Sequence, residues 1–211
     1  MKSIQLVALS VIILAILIGI YFYPYLPDKF ASHWNASGEV NGYMTKFWGL
    51  FLMPIISLGL FLFFMLILRI DPLRKNIEKF KNYFEGFLLV LIIFLFYLYI
   101  LTIFWNLGLR FVFTALLMPA FATLSYCIGV LISHSKQNWF VGIRTPWTLS
   151  NAKVWEETHK LGGRLFKISS FVILLGIIFL NYAIFFILIP LFLSAMIVVV
   201  YSYIIYTHIK P

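Results

Sequence analysis

Residues 168–209 read "ISSFVILLGIIFLNYAIFFILIPLFLSAMIVVVYSYIIYTHI" and contain no Asp, Glu, Lys or Arg. A helix that crosses the hydrocarbon core of a bilayer needs about 20 apolar residues. This stretch has roughly twice that length, and Asn181-Tyr182 is the polar break near its middle. It therefore predicts two membrane-spanning helices, at 167–181 and 183–207, joined by a tight turn.

The composition of the whole chain agrees with this interpretation. Its 211 residues are 63% hydrophobic and 11% charged, whereas about a quarter of the residues of a soluble domain are charged. Further apolar runs cover 4–24, 47–68, 86–105 and 112–133. We therefore expect an all-α integral membrane protein with about six transmembrane helices.

The distribution of basic residues predicts the orientation. If the N-terminus lies inside, 13 of the 16 Lys and Arg residues fall on the cytoplasmic side, and the exceptions are Lys29, Lys46 and Arg110. Cytoplasmic loops carry such an excess, and anionic lipids are its expected partners. We predict a plasma-membrane protein of a bacterium or archaeon with both termini cytoplasmic, and we expect no direct binding of nucleic acid.

Three prolines fall at similar places in alternate spans, namely Pro54, Pro119 and Pro190. This echo is compatible with three related hairpins whose kinked helices line a shared cavity. The ordinary frequency of proline in membrane helices is the favoured explanation. No acidic, basic or histidine residue lies at the centre of a predicted span, which disfavours a proton-driven transporter.

The first polar loop, residues 25–46, is predicted to face outside and reads "YLPDKFASHWNASGEVNGYMTK". Asn41-Gly42 favours a tight turn there. His33, Trp34 and Asn35 are the candidate contact residues. Anchoring at the lipid headgroups is the favoured interpretation, and contact with a ligand or peptide is the alternative. The spacing matches no metal motif, so we predict no metal or cofactor.

The second polar loop, 134–167, is predicted to be cytoplasmic and contains "NWFVGIRTPWTLSNAKVWEETHKLGGRLF" at 138–166. Pro146 is placed where a helix begins. Ser150 or Asn151 can cap a second short helix that Gly162-Gly163 would end. On that helix Trp155 and His159 are four residues apart and share a face.

Three interpretations of this second loop remain open. It can be a basic amphipathic helix on the inner leaflet. It can be a docking site for a partner or anion through Arg144 and Arg164. It can also be a catalytic site with His159 as base, although no Ser or Cys nucleophile stands beside it. We predict no catalytic residue.

The two loops together resemble a known family. Residues 138–166 are similar to the signature of the SdpI family, and residues 26–46 resemble the domain of unknown function 1648 that often precedes it. The resemblance implies an N-terminal module at 1–68, with two helices, and an SdpI-like module at 69–211, with four.

The resemblance also implies a function, namely immunity to a secreted toxic peptide, with signalling through a cytoplasmic regulator. The peptide would meet the outer loop at His33, Trp34 and Asn35. The implied partner-binding residues of the inner loop are Gly142, Arg144, Trp147, Trp155, His159, Gly163 and Arg164. The alternative is a membrane enzyme or small-molecule transporter that uses the 138–166 loop or the proline-kinked helices.

Overall fold

A computed structural model describes residues 3–35 and 38–209. Within them lie a β-hairpin and eight α-helices. The strands are β1 (Lys29–Trp34) and β2 (Val40–Thr45). The helices are α1 (Ser3–Phe22), α2 (Lys46–Ile70), α3 (Arg74–Lys79), α4 (Lys81–Asn106), α5 (Phe113–His134), α6 (Pro146–Ser150), α7 (Ala152–Leu175) and α8 (Ala183–His208).

The apolar helices confirm a helical membrane protein. Among the described residues, five segments are long and apolar enough to cross a bilayer, and they contain α1, α2, α4, α5 and α8. The predicted span at 167–181 is not among them, because its helix, α7, begins with a polar half at Ala152. The number of crossings and the side on which the termini lie stay predictions.

The helix predicted to end at Gly162-Gly163 continues instead to Leu175, so that expectation was wrong. The predicted cap at its start is confirmed, since the Asn151 side chain accepts hydrogen bonds from the backbone N–H groups of Lys153 and Val154. A glycine inside a helix costs about 1 kcal/mol relative to alanine. The two glycines are therefore explained by a tertiary contact.

That contact is the close packing of α7 against α5. A Cβ atom at Gly163 would overlap Ser133 Oγ and lie 2.9 Å from the carbonyl oxygen of Gly129. Further along, Ser125 Oγ donates to the carbonyl oxygen of Phe166 at 2.8 Å. These pairs run in opposite directions along the two chains, so α5 and α7 are antiparallel neighbours.

On its other side α7 packs against α8. Ser169 and Ser194 share a hydrogen bond of 2.9 Å between their hydroxyl groups, and a Cβ at Gly162 would lie 3.2 Å from Val198 Cγ1. The C-terminal half of α7 therefore lies between α5 and α8. Ser169 thereby finds a hydrogen-bond partner on a neighbouring helix.

The N-terminal half of the chain forms a second set of contacts, among α1, α2 and α4. Ala8, Ile12, Phe61 and Leu88 belong to one buried cluster there, and Tyr99 Oη donates to the carbonyl oxygen of Ala15 at 3.0 Å. The repeated prolines line three different cavities in the molecule. This arrangement agrees with the ordinary explanation of the prolines and not with a shared cavity.

The first polar loop is a β-hairpin. The tight turn expected at Asn41-Gly42 was wrong, because both residues lie within β2 and Gly42 faces His33 across an irregular register. The chain reverses instead between Asn35 and Glu39, whose backbone groups hydrogen-bond at 2.9 Å. A Cβ at Gly42 would overlap His33 Cβ by approaching to 2.7 Å, so this glycine serves close strand approach.

Gly163→Ala tests the α5–α7 contact. We expect this substitution to destabilise the protein by about 1–3 kcal/mol, because the added methyl group meets a backbone carbonyl that cannot rotate away. Gly86→Ala in α4 is the matched control, since a Cβ there meets no atom within 4 Å and alanine favours the helix. Thermal midpoints of the purified proteins in detergent measure the difference. Equal midpoints for the two variants would contradict the contact.

Candidate functional site

The candidate site is the loop that joins α5 to α7, and a buried asparagine shapes it. Asn138 has 0% of its surface exposed. Its side-chain oxygen accepts from the backbone N–H groups of Phe140 at 2.9 Å and Val141 at 2.6 Å. Its amide donates to the carbonyl oxygens of Lys136 and Val141, both at 2.8 Å. One side chain thereby closes the turn in which the loop leaves α5.

A buried carboxylate ties this loop to the first half of the chain. Asp71, at the end of α2, accepts from the backbone N–H of Trp139 at 2.9 Å and from that of Leu73 at 2.6 Å. Sequence reasoning missed both Asp71 and Asn138. The available signal was the pair Asp71-Pro72 at the end of an apolar run, since Asp before Pro favours a turn that its own side chain satisfies.

His159 fastens the middle of the loop to α7. Its Nε2 accepts from the backbone N–H of Ile143 at 2.9 Å, and its Nδ1 lies 2.7 Å from the carbonyl oxygen of Trp155. A carbonyl oxygen only accepts and an N–H only donates, so the ring is the neutral tautomer with its proton on Nδ1. Burial disfavours the charged ring and lowers the pKa of His159 to about 4, against a smaller opposing effect of the hydrogen bond to Trp155.

Trp155 and Gly142 complete this junction. The Trp155 indole stacks on the His159 ring with centroids 3.9 Å apart, and its Nε1 donates to the carbonyl oxygen of Ser135 at 3.1 Å. Gly142 has φ +116°, a conformation that other residues rarely adopt. A Cβ at Gly142 would overlap His159 Nε2. The loop thus requires glycine here, both for its backbone angle and for its approach to the imidazole.

The threonines after Arg144 connect the loop to α8. Thr145 caps α6, with reciprocal hydrogen bonds between its side chain and backbone and those of Thr148. This confirms that a helix begins at Pro146. The Thr145 hydroxyl also lies 3.0 Å from that of Ser202 in α8, and the Trp147 ring packs on Tyr203 with centroids 5.1 Å apart. The loop is therefore held by α2, α7 and α8.

The structure separates the residues expected to bind a partner. Trp155 and His159 have only 2% and 1% of their surface exposed, and Gly163 is buried against α5. The face that these three residues share meets the loop and α5, and their contact with a partner stays a prediction. Arg144 and Arg164 are exposed. Arg144 Nη1 donates to the carbonyl oxygen of Trp139 at 2.7 Å, so it also supports the loop.

The same geometry bears on the catalytic interpretation. A general base needs a free ring nitrogen within reach of a substrate proton. Both ring nitrogens of His159 are occupied by backbone groups of its own chain. In this arrangement neither ring nitrogen of His159 is free to take a proton from a substrate.

In the outer hairpin, one of the three candidate residues presents an exposed side chain. His33 is exposed and contacts Asn41 through its Nδ1. Trp34 turns inward and stacks on Phe113 with ring centroids 4.0 Å apart. Asn35 is occupied locally, since its side-chain oxygen accepts from the backbone N–H of Glu39 at 2.9 Å. Contact of any of the three with a toxic peptide stays a prediction.

Asn106 fixes the position of the hairpin over the helices. Its side-chain oxygen accepts from the backbone N–H of Ala31 at 2.8 Å, and its amide donates to the carbonyl oxygen of the same residue at 3.0 Å. This pairing imitates that of a neighbouring strand and joins β1 to the end of α4.

The fold and the loop define a helical, multi-spanning membrane protein in which hydrogen bonds hold the polar loop between α5 and α7 in place. Residues 135–202 match the model of the SdpI/YfhL protein family, and residues 11–58 match the domain of unknown function DUF1648. The predicted relationship to the SdpI family is therefore confirmed. The division of the chain at residue 69 stays a prediction.

One curated relative matches along most of the chain. The protein is 24% identical over 194 residues to Immunity protein SdpI of Bacillus subtilis (strain 168), and the match covers 92% of this chain and 91% of that protein. No solved structure matches the chain.

The buried neutral histidine makes stability depend on pH. Between pH 6.5 and 4 the unfolded chain binds a proton at His159 that the folded protein does not, so stability falls as the pH is lowered through this window. The free energy of unfolding falls by about 1.4 kcal/mol per pH unit across this window, or by about 3 kcal/mol in all. His159→Gln removes the titrating ring, and we expect its thermal midpoint to fall less between pH 7 and pH 4.5 than that of the wild type.

His134→Gln is the matched control, because this other histidine is exposed at the end of α5. It should keep the pH dependence of the wild type. If His159→Gln and the wild type lose equal stability on acidification, the ring is not buried in its neutral form.

Proposed function

We propose that the protein confers immunity to a secreted toxic peptide from within the plasma membrane. The observation that carries the proposal is the match to Immunity protein SdpI, which extends over 91% of that protein. Both polar loops of the chain fall within regions that match family models. A similarity restricted to one apolar helix would carry little weight, since apolar helices resemble one another in composition.

The charge distribution supports an assignment of the two loops to opposite sides. The outer loop, residues 25–46, carries two of the three basic residues assigned to its side and would meet the peptide through its hairpin. Its exposed His33 is the candidate contact, and the stacked Trp34 holds the hairpin in place. The loop fastened by His159 would lie in the cytoplasm, with both termini.

The cytoplasmic side would also signal. The exposed guanidinium groups of Arg144 and Arg164 suit the acidic surface of a regulator protein or the anionic headgroups of lipids. We assign this role to the two arginines and Trp147, and to Trp155, His159, Gly142 and Gly163 the role of holding the loop that presents them.

A protection assay tests the proposal. Sensitive cells that express the wild type should keep their membrane potential when they receive peptides secreted by the organism from which the sequence comes. His33→Ala should reduce this protection, because it removes an exposed side chain from the outer hairpin. Arg164→Ala should protect as well as the wild type, because its exposed side chain would lie on the opposite side of the membrane.

Transcript profiles separate signalling from protection in the same cells. If Arg164 contacts a regulator, Arg164→Ala should blunt the transcriptional response to the peptides and leave protection intact. Membrane fractions must contain each variant at the wild-type amount. Wild-type protein that is present in the membrane and gives no protection would overturn the immunity proposal.

A further inference from the structure

A polar cavity of about 300 Å³ lies beside the junction of Trp155 and His159. Its walls come from three parts of the chain: α3, the end of α5 with the following loop, and the first turns of α7. Asn76 joins two of these walls, because its amide donates to the carbonyl oxygen of Gln137 at 2.9 Å. The cavity is thus built by tertiary contacts.

The charged groups of the cavity favour an anion. Lys136 and Lys160 line it from the loop and from α7, and Glu156 is the acidic residue of the lining. Among the described residues, the ion pairs within 4 Å join Lys46 to Asp28 and Lys81 to Glu85. Neither ammonium group at the cavity is therefore ion-paired, and the two lysines outnumber the one carboxylate of the lining.

The N-terminus of α7 adds to the same electrostatic field. Ala152, the first residue of this 24-residue helix, lines the cavity. The aligned peptide dipoles give this end a partial positive charge, which attracts anions, while the N–H groups of Lys153 and Val154 donate to Asn151 and are not available to a ligand. Two lysines and a helix N-terminus on one cavity make a stronger site than either feature alone.

We propose that this cavity binds a phosphate group carried on a small polar molecule. Lysine binds phosphate as a point charge, and the several oxygens of a phosphate can accept from ammonium groups that approach from different walls. The volume leaves room for the remainder of a phosphate ester beside Asn76 and Ser135. The phosphate is that of a soluble ester or that of an anionic lipid headgroup. The site is separate from the exposed surface of Arg164, and its occupancy does not depend on the immunity function.

Titration calorimetry tests the site on the whole protein in a nonionic detergent. Inorganic phosphate and glycerol phosphate are the soluble probes. For the lipid arm, the protein is reconstituted in nanodiscs of phosphatidylcholine with or without phosphatidylglycerol. Native mass spectrometry then measures which lipid the protein retains. Binding in either arm should weaken about tenfold or more in Lys136→Gln and in Lys160→Gln, because each removes a charged hydrogen-bond donor.

Two further variants test the direction of the charge effect and provide a control. Glu156→Gln should tighten binding, because it removes the negative charge from the lining. Lys153→Gln removes an exposed lysine of α7 that does not line the cavity, and it should bind like the wild type. Thermal midpoints equal to that of the wild type show that each variant is folded.

The outcomes decide both the site and the source of the phosphate. Lysine-dependent binding of the soluble probes supports a soluble ester, and lysine-dependent retention of phosphatidylglycerol alone supports a lipid headgroup. Absence of binding in both arms overturns the proposal. So does an equal loss in Lys153→Gln, which would indicate attraction by net charge without a site, and so does weaker binding in Glu156→Gln.

Discussion

The rest of the C-terminal half depends on the backbone contact between α5 and α7. Gly163 brings its helix within van der Waals distance of the Gly129 carbonyl, and a side chain at Gly163 would separate the two. Because the helices are locked at this level, the first three turns or so of α7 project beyond the end of α5. Trp155 and His159 lie on that projection, where the loop folds over them. The position of α7 decides where His159 accepts the hydrogen bond from the Ile143 N–H group, and so determines the course of the loop.

The apolar runs predicted the apolar helices well, because the length of an apolar run is a local property of the sequence. The thickness of the bilayer sets the length that such a run must have. The shared face of Trp155 and His159 followed from helical spacing in the same way. What that face would meet was not predictable, since the same spacing suits an open docking surface and a buried junction. The end of the helix was wrongly predicted at Gly162-Gly163 for a related reason, because a glycine that ends a helix and one that admits a neighbouring helix are identical in sequence. The hydrogen bond from Trp139 to Asp71 joins residues 68 positions apart, which no local pattern encodes.

The residues of the polar stretch in this apolar chain thus fall into two groups with different roles. The aromatic, histidine and glycine residues at its centre hold the loop, and their polar atoms are satisfied within the chain. The arginines at its edges and the lysines of the neighbouring cavity keep their charges in water, where an anionic partner can reach them. This division explains why the loop is basic and rich in glycine at once: glycines allow the backbone to approach the ring, and the exposed cations remain available for binding.

The tautomer of His159 shows whether a buried neutral imidazole holds the loop on α7. Nitrogen NMR of protein labelled at its histidines, with the signal assigned through His159→Gln, reports both the tautomer and the charge of the ring. We expect a neutral ring with its proton on Nδ1 and an accepting Nε2, unchanged from pH 7.5 to pH 5.5. A ring that is protonated at pH 5.5, or one with its proton on Nε2, would contradict this expectation.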